Sequence, residues 1–265
     1  MSDLLGPLLG EGRTAEVFAY DDGSVVKLLR PGFDSAILRL EAAKTRAAVA
    51  AGAPAPDVKG EVEVEGRLGV VFDQVEGPAL VEKILSRPHR VSHWAATLAQ
   101  TQHSILERTT TLLPDVREVL AAKIRSVDLL SSGQRDRALR SLKDLPDGSS
   151  VLHGDLHPLN LHPTPEGPMV IDWLDATRGH PAADIARSLW LSSPYAIPHD
   201  FPGWQLAVLL VRAFRRAYLK NILSLTGLTE KDLAPWRLPV LAARLAEGIE
   251  HEQRALLAEV ARLST

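Results

Sequence analysis

The sequence predicts an α+β fold with two lobes: a small N-terminal lobe built on a β-sheet with one helix, and a larger, mainly helical C-terminal lobe. Two observations carry this prediction. Strand-like runs of β-branched and apolar residues are concentrated before residue 75, whereas apolar residues after residue 79 recur at spacings of three and four. A Gly-Pro break at Gly77-Pro78 separates the two patterns. We therefore predict lobes over residues 1–75 and 76–265.

The first lobe opens with a strand, a glycine-containing turn and a second strand over residues 8–20. A turn at Asp21-Asp22-Gly23 leads into a third strand over residues 24–29, which predicts a three-stranded meander. Gly10 and Gly12 lie in the first turn, where the missing Cβ would let backbone amides approach phosphates closely. A Gly-x-Gly pair alone is weak, because most such pairs are simply turns.

A helix is predicted over residues 34–51. This segment is rich in Ala and Leu, has a capping residue at its start and stops at Gly52. If the helix packs on the sheet, Glu41 can meet Lys27, which the third strand carries. Glu41 also lies three residues before Lys44, as in a local pair on a helix surface. The residues alone leave both pairings open.

Two further strands are predicted over residues 58–64 and 68–72, joined by a turn at Glu65-Gly66-Arg67. Strands in the C-terminal lobe are expected only at Val151-Leu152 and Met169-Val170-Ile171, paired with each other as a short hairpin. The rest of this lobe is predicted to be helical over residues 79–86, 91–108, 115–130, 134–143, 182–192, 203–225 and 237–263.

Composition and charge are those of an ordinary globular protein. The 265-residue chain is 45% hydrophobic and 24% charged, and its net charge of -3 gives no reason to expect nucleic acid or an anionic membrane as the main partner. The chain has no cysteine, which excludes disulfides and thiol chemistry. We find no secretory signal pattern and no apolar run long enough to span a membrane, so we expect a cytoplasmic location.

The most informative motif is the run from His153 to Asn160, His-Gly-Asp-Leu-His-Pro-Leu-Asn, followed twelve residues after Asn160 by Asp172. Phosphoryl transfer from a nucleotide needs a carboxylate that orients and deprotonates the acceptor hydroxyl. It also needs Mg²⁺, which binds through oxygen ligands. Asp155 suits the first role, and Asn160 and Asp172 suit the second.

A metal-dependent hydrolase is an alternative for the same segment, because neutral imidazoles bind Zn²⁺ or Mn²⁺ well. The candidate ligands lie within ten residues and are His153, Asp155, His157 and His162. This alternative leaves the spacing of Asn160 and Asp172 unexplained. We expect His153 to brace the loop by hydrogen bonding rather than to bind a metal.

The interval from Asp155 to Asn160 matches that of the protein-kinase catalytic loop. However, Gly154 stands where that loop has Arg, and Trp173-Leu174 stands where protein kinases have Phe-Gly. The form His-Gly-Asp-x-His-Pro-x-Asn, then Ile-Asp-Trp, then Gly-x-Pro-x-x-Asp ending at Asp184 resembles instead the aminoglycoside phosphotransferase and choline kinase superfamily. This resemblance implies a protein-kinase-like fold whose cleft between the lobes binds a nucleotide and Mg²⁺.

The resemblance also implies roles for individual residues. Lys27 would pair with the α- and β-phosphates and be positioned by Glu41, which favours that pairing over the local one. The stretch from Asp73 to Val75 would present backbone groups to the adenine edge. Asp184 would brace the catalytic loop from below.

These patterns together predict a Mg²⁺-dependent kinase that transfers the γ-phosphoryl group of ATP or GTP to a hydroxyl of a small molecule, with an aminoglycoside-type antibiotic as one candidate. A catalytically silent nucleotide-binding module is an alternative of another class. The sequence does not choose between ATP and GTP, name the acceptor or set the oligomeric state.

A polycationic acceptor would favour acidic residues around its pocket. The C-terminal region carries acids that alternate with arginines, which favours an ordinary salt-bridged surface helix instead. The acids are Glu247, Glu250, Glu252 and Glu259, and the arginines are Arg237, Arg244, Arg254 and Arg262. Asp175, on the loop after Asp172, could face the metal or the substrate, but we expect it to be an exposed acid.

Overall fold

A computed structural model of the chain describes residues 5–198 and 200–264. The N-terminal part is a five-stranded antiparallel sheet and the C-terminal part is mainly helical, which confirms the predicted α+β fold class. The sheet order β1-β2-β3-β5-β4 contains the predicted meander of the first three strands. Strands β1 to β5 span Leu8–Glu11, Ala15–Ala19, Ser24–Leu29, Val58–Val64 and Arg67–Asp73.

Helix α1, Ala36–Ala50, packs on one face of this sheet. Its Leu38 and Ala42 are fully buried and form one apolar cluster with side chains of β3 and β5. Burying a side chain such as Leu38 stabilises the fold by ~1.5–3 kcal/mol. Because side chains alternate along a strand, Lys27 shares its sheet face with Leu29, a member of this cluster. The packing of α1 therefore brings the helix over the face that carries Lys27.

The described C-terminal residues contain eight α-helices whose apolar faces form the main core. Trp173, Tyr218 and Trp236 lie at its centre and are fully buried. Helices α2 to α9 span Leu80–Ser86, Val91–Leu106, Val116–Ser126, Ser132–Ser141, Pro181–Leu191, Trp204–Thr226, Glu230–Arg244 and Glu250–Leu263.

The two parts meet where the sheet ends and the helices begin. Strand β5 ends at Asp73 and helix α2 begins at Leu80. The lobe boundary between residues 75 and 76 stays a prediction. Of the helices in the described ranges, none combines the length and the apolar composition that crossing a membrane requires.

The predicted hairpin between Val151-Leu152 and Met169-Val170-Ile171 is wrong. Strand β6, Ser150–Leu152, pairs instead with β9, Thr177–Gly179, and strand β7, Leu161–Thr164, pairs with β8, Gly167–Val170. A tight turn joins β7 and β8, so their pairing costs little chain entropy. Strand β8 therefore pairs with its neighbour β7 and not with the more distant β6. Two separate two-stranded ribbons therefore flank residues 153–160, the segment predicted to be catalytic.

The single helix predicted over residues 237–263 is also wrong. The chain breaks after Arg244 into a 3₁₀ turn, Leu245–Glu247, and then Gly248, which adopts a left-handed conformation with φ of 66°. Helix α8 begins earlier than predicted, because a capping box between Thr229 and Asp232 fixes its start. Because of this break, Glu247 ends the 3₁₀ turn and is not part of a continuous helix.

Candidate active site

The predicted catalytic loop, which we call the catalytic loop, runs from His153 to Asn160 between β6 and β7. Gly154 has φ of 80°, and a Cβ at this position would collide with the backbone carbonyl of Asp175, so only glycine fits. The Gly154 amide donates to Asp184 Oδ1 at 2.7 Å, and its carbonyl accepts from Arg187 Nε at 3.0 Å. Both contacts come from helix α6, which thereby fixes the peptide groups next to Asp155.

His153 is fully buried beneath this loop and uses both ring nitrogens. Its Nδ1 accepts from the amide of Asp155 at 3.1 Å, so the proton belongs on Nε2, which lies 3.1 Å from the carbonyl of Ile171. Burial lowers the pKa of His153 below its usual value, which favours this neutral form. Neither nitrogen is left for a metal.

Asp155 is a half-buried carboxylate surrounded by hydrogen-bond donors. Its Oδ2 lies 3.5 Å from His157 Nε2, and its Oδ1 lies 3.4 Å from Arg187 Nη2 and 3.9 Å from Arg244 Nη1. Burial alone would raise the pKa of Asp155, but the hydrogen bond from His157 and the charge of Arg187 hold it far below its usual range. The group is therefore ionised at neutral pH.

Asn160 and Asp172 flank the β7–β8 pair, Asn160 just before β7 and Asp172 two residues after β8. A backbone hydrogen bond joins these two ends, since the carbonyl of Asn160 accepts from the amide of Ile171 at 3.0 Å. The Asn160 Nδ2 donates to the carbonyl of Asp155 at 2.9 Å. Among the described residues, its Oδ1 takes part in no hydrogen bond and is left to bind a ligand. Asp172 has φ of 65°, unusual for a residue other than glycine, and its side chain is 42% exposed.

Lys27 contacts two carboxylates. Its Nζ donates to Glu41 Oε1 at 2.7 Å and lies 3.6 Å from Asp172 Oδ1. Lys44, the local alternative partner of Glu41, donates instead to the carbonyl of Leu174 at 2.7 Å. Burial lowers the pKa of Lys27, but the charges of Asp172 and Glu41 more than offset this, so its pKa is raised and the ammonium is retained.

A cavity of about 670 Å³ lies between the sheet and the helical part. This volume is within the ordinary range for small-ligand sites. Of the predicted nucleotide-binding residues in the described ranges, Gly12 does not line the cavity. Its amide donates to the carbonyl of Ala15 in the turn. The predicted site residues that do line it are Gly10, Lys27, Glu41, Asp73, Val75 and Asp172.

The predicted Mg²⁺ site fits the residues present. Mg²⁺ is usually bound through one or two protein ligands together with water and phosphate oxygens, so the Asn160 amide oxygen and the Asp172 carboxylate are a suitable donor set. Within the described residues, no group of three or more His, Cys, Asp or Glu side chains is arranged to hold a metal ion.

The sequence interpretation missed several charged side chains near the loop that carries Asp155. Asp175, expected to be an exposed acid, is half-buried and accepts from Lys123 Nζ at 2.6 Å. Arg187 lies one helical turn after Asp184, and this spacing on one helix face was the only signal that could have indicated it. Asp175 and Arg187 are therefore charged groups next to the catalytic loop.

The expectation of an ordinary salt-bridged surface helix near the C-terminus is wrong for part of that region. Arg244 and Glu252 are buried and paired at 2.6 Å, and Glu247 accepts from Arg187 at 2.6 Å. The pairs of Glu259 with Arg237, at 3.3 Å, and with Arg262, at 2.8 Å, do resemble the expected surface arrangement. The break at Gly248 explains the difference, since it directs Glu247 towards the catalytic loop.

Comparisons with known proteins agree with this geometry. The sequence profile described as the phosphotransferase enzyme family matches residues 7–224. The chain belongs to this family. It is thus a member of the aminoglycoside phosphotransferase and choline kinase superfamily that the motifs indicate. A comparison with curated protein sequences finds no match.

Solved structures of antibiotic kinases share the fold. An aminoglycoside-3'-phosphotransferase of type VIII is 21% identical, with a TM-score of 0.62 over 89% of this chain and 92% of the other. The amicoumacin kinase hAmiN, in complex with AMP-PNP, Ca²⁺ and Ami, is 15% identical, with a TM-score of 0.59 over 100% and 87% of the chains. The macrolide 2'-phosphotransferase MphH from Brachybacterium faecium is 16% identical, with a TM-score of 0.54 over 94% and 89%. At these identities the likeness establishes the fold alone.

Proposed function

We propose that this protein is a Mg²⁺-dependent kinase that transfers the γ-phosphoryl group of ATP or GTP to a hydroxyl group of a small molecule. The observation that carries the proposal is the arrangement around Asn160. Its amide nitrogen bonds to Asp155, while its backbone carbonyl bonds to the residue before Asp172. The residues proposed as the base and the two oxygen ligands are thereby linked, and one of them, Asp172, lines the cavity together with Lys27.

In this proposal Asp155 is the base. The ionised carboxylate orients the acceptor hydroxyl and takes its proton as the hydroxyl oxygen attacks the γ-phosphorus, and the bond from that phosphorus to the nucleoside diphosphate oxygen breaks. Lys27, oriented by Glu41, pairs with the remaining phosphates. Bound Mg²⁺, held by Asn160 and Asp172, would supply positive charge that neutralises the phosphate oxygens.

The nucleotide would lie in the 670 Å³ cavity. Gly10 would allow close approach of the phosphates, and the backbone from Asp73 to Val75 would face the base. The part proposed for Gly12 is indirect, because its amide already closes the turn with Ala15. His153 and Asp184 would support the loop that carries Asp155, and a cytoplasmic location would supply the nucleotide.

The acceptor is proposed as a small hydroxylated molecule, with aminoglycoside-type antibiotics as the first class to test. Kinases of similar fold are named for aminoglycosides, amicoumacin and macrolides. The fold therefore supports a small-molecule acceptor and does not select one of these compounds. The acceptor must present a hydroxyl to Asp155 in a region where Lys123 and Arg187 are already paired with carboxylates.

The proposal is tested by incubating the protein with Mg²⁺, ATP or GTP, and a panel of aminoglycosides, macrolides, choline, homoserine and simple sugars, followed by mass spectrometry. We expect a phosphorylated product from one class of acceptor. Asp155→Asn should not form this product, because the amide cannot accept the proton. Nucleotide binding by this variant should persist.

The outcomes separate the alternatives. Phosphorylation that Asp155→Asn abolishes supports the kinase. Mg²⁺-dependent nucleotide binding with no transfer to any acceptor supports a catalytically silent module. Hydrolysis of panel compounds without nucleotide, together with a bound transition metal, would support the metal-dependent hydrolase. An absence of nucleotide binding under all conditions would make the kinase proposal untenable.

A further inference from the structure

Glu247 lies at the meeting point of three cationic side chains beside the catalytic loop. Its Oε1 accepts from Arg187 Nη2 at 2.6 Å and lies 3.5 Å from Lys123 Nζ, and its Oε2 is paired with Arg244. The Glu247 side chain is only 17% exposed. A half-buried carboxylate with three partners has few alternative positions, so it can fix the groups that it contacts.

Arg187 connects Glu247 to Asp155. The Nη2 that binds Glu247 also lies 3.4 Å from Asp155 Oδ1, and Nε of the same guanidinium donates to the carbonyl of Gly154 at 3.0 Å. The planar guanidinium thus reaches both the carboxylate and the peptide that precedes it. Without Glu247, the direction of Arg187 would be set by the Gly154 carbonyl and by Asp155, the group that must remain available to the acceptor.

Arg244, the partner of Glu247 Oε2, is itself held in the protein interior. Arg244 donates to the buried Glu252 at 2.6 Å, and Glu252 also accepts from Trp190 Nε1 at 2.6 Å. A buried ion pair with its hydrogen bonds satisfied is rigid, since either partner left alone would be an unpaired buried charge. The position of Glu247 is therefore set by helices α6, α8 and α9.

The backbone of Glu247 makes one more contact. Arg13, in the turn between β1 and β2, donates from Nη1 to the Glu247 carbonyl at 2.7 Å. The family match ends at residue 224, so Glu247 lies in a segment that the family pattern does not include. This segment nonetheless reaches both the glycine-containing turn and the surroundings of Asp155.

We propose that Glu247 is a positioning residue for Asp155, acting through Arg187. The inference rests on the proposed function, because it assigns Asp155 the role of base. Glu247 holds Arg187 so that its guanidinium fixes the Gly154 carbonyl and the direction of the Asp155 carboxylate. The substrate groups themselves are contacted by Asp155 and not by Glu247.

The test compares Glu247→Gln, Glu247→Asp and Arg187→Lys with Glu250→Gln, which changes an exposed carboxylate three residues away. Two properties are measured in the full-length protein. The first is backbone hydrogen exchange of the peptide that covers residues 153–160. The second is the steady-state rate of Mg²⁺-dependent ATP hydrolysis, in which water takes the place of the acceptor, with kcat and the KM for ATP determined separately.

We expect Glu247→Gln and Arg187→Lys to speed exchange in this peptide and to lower kcat by roughly tenfold to a hundredfold, with the KM for ATP unchanged, because misplacing a catalytic group by about 1 Å can cost about a hundredfold. Glu247→Asp should recover part of the loss, since it keeps the charge. Glu250→Gln should behave like the wild type.

Unchanged exchange and unchanged kcat in Glu247→Gln would overturn the proposal. A higher KM for ATP at unchanged kcat would also overturn it, since Glu247 would then act through Arg13 on the glycine-containing turn. If the wild type neither hydrolyses ATP nor phosphorylates any acceptor, the proposed function fails. The exchange measurement would still decide whether Glu247 holds the loop.

Discussion

On one side of the cleft, which we call the donor side, Lys27 faces two carboxylates, and Asp172 keeps 42% of its side chain exposed. On the other, acceptor side, Asp155 lies beside Arg187 and Arg244, whose side chains are each 9% exposed and already paired with glutamates. The donor side is thus open to an incoming polyanion and metal ion, whereas the charges of the acceptor side are neutralised by the protein itself. Binding of the nucleotide and the metal ion should therefore neutralise the charges of the donor side. On the acceptor side, replacing one charged residue should leave its buried partner unpaired.

The largest expected effect concerns the donor side. Asp172→Ala removes the exposed carboxylate proposed to bind Mg²⁺, and turnover with the identified acceptor should fall by about 10³-fold or more, because charge on the transferred group is no longer offset. Steady-state kinetics at saturating Mg²⁺ measure this. Asp128→Ala, which removes an exposed acid between helices α4 and α5, should retain full activity. Near-normal turnover of Asp172→Ala would remove this residue from the site.

Asp155→Asn tests the acceptor side by removing a charge without changing the shape of the side chain. We expect kcat to fall by roughly 10²–10⁴-fold, the usual contribution of a general base, while the dissociation constant for the nucleotide stays the same. Isothermal titration calorimetry with a non-hydrolysable nucleotide measures the binding. An unchanged rate would exclude Asp155 as the base, and an equal loss of nucleotide affinity would mean that the two sides of the cleft are not separable.

Much of the donor side could be predicted from the sequence. Asn160 and Asp172 belong to short motifs with fixed spacing, and the roles of Lys27 and Glu41 follow from the family resemblance that these motifs carry. The structure pairs Lys27 with Glu41 at 2.7 Å. The meander and most helices followed from periodicity and glycine positions. Motif spacing and periodicity thus predict structure that is local in sequence, but not contacts between distant segments.

The acceptor side could not be predicted in this way. Arg187 and Glu247 are 60 residues apart in sequence, and no periodicity indicates that they meet. Their contact depends on how α6, α8 and α9 pack and on the break at Gly248, which a pattern of alternating charges does not reveal. The same limit explains the wrong hairpin, since pairing of short strands depends on tertiary context.

A smaller effect should follow from Glu41→Gln, which keeps the size of the side chain but removes the charge that orients Lys27. We expect the KM for the nucleotide to rise about tenfold, the loss of one charge-assisted hydrogen bond, with a smaller change in the KM for the acceptor. Glu61→Gln, which breaks the exposed pair with Arg39, is the matched control and should have no effect on either constant. A rise confined to the acceptor KM would contradict the division of the cleft into two sides.

The smallest effect concerns His153, which joins the two sides by bonding the amide of Asp155 and the carbonyl of Ile171. Because burial lowers its pKa in the folded protein, the unfolded chain binds the proton first as the pH falls below about 6.5, the ordinary value. The stability contributed by neutral His153 is therefore complete above that pH and is lost below it, by at most ~1.4 kcal/mol per pH unit.

Urea unfolding of the wild type and of His153→Asn at pH 7.5, 6.5 and 5.5 measures this contribution. We expect the variant to be less stable at pH 7.5 but to lose less stability between pH 6.5 and 5.5, since asparagine does not titrate. His89→Asn, at an exposed position, should follow the wild-type pH dependence. Equal pH dependence in wild type and His153→Asn would mean that protonation of this imidazole does not loosen the link between the two sides of the cleft.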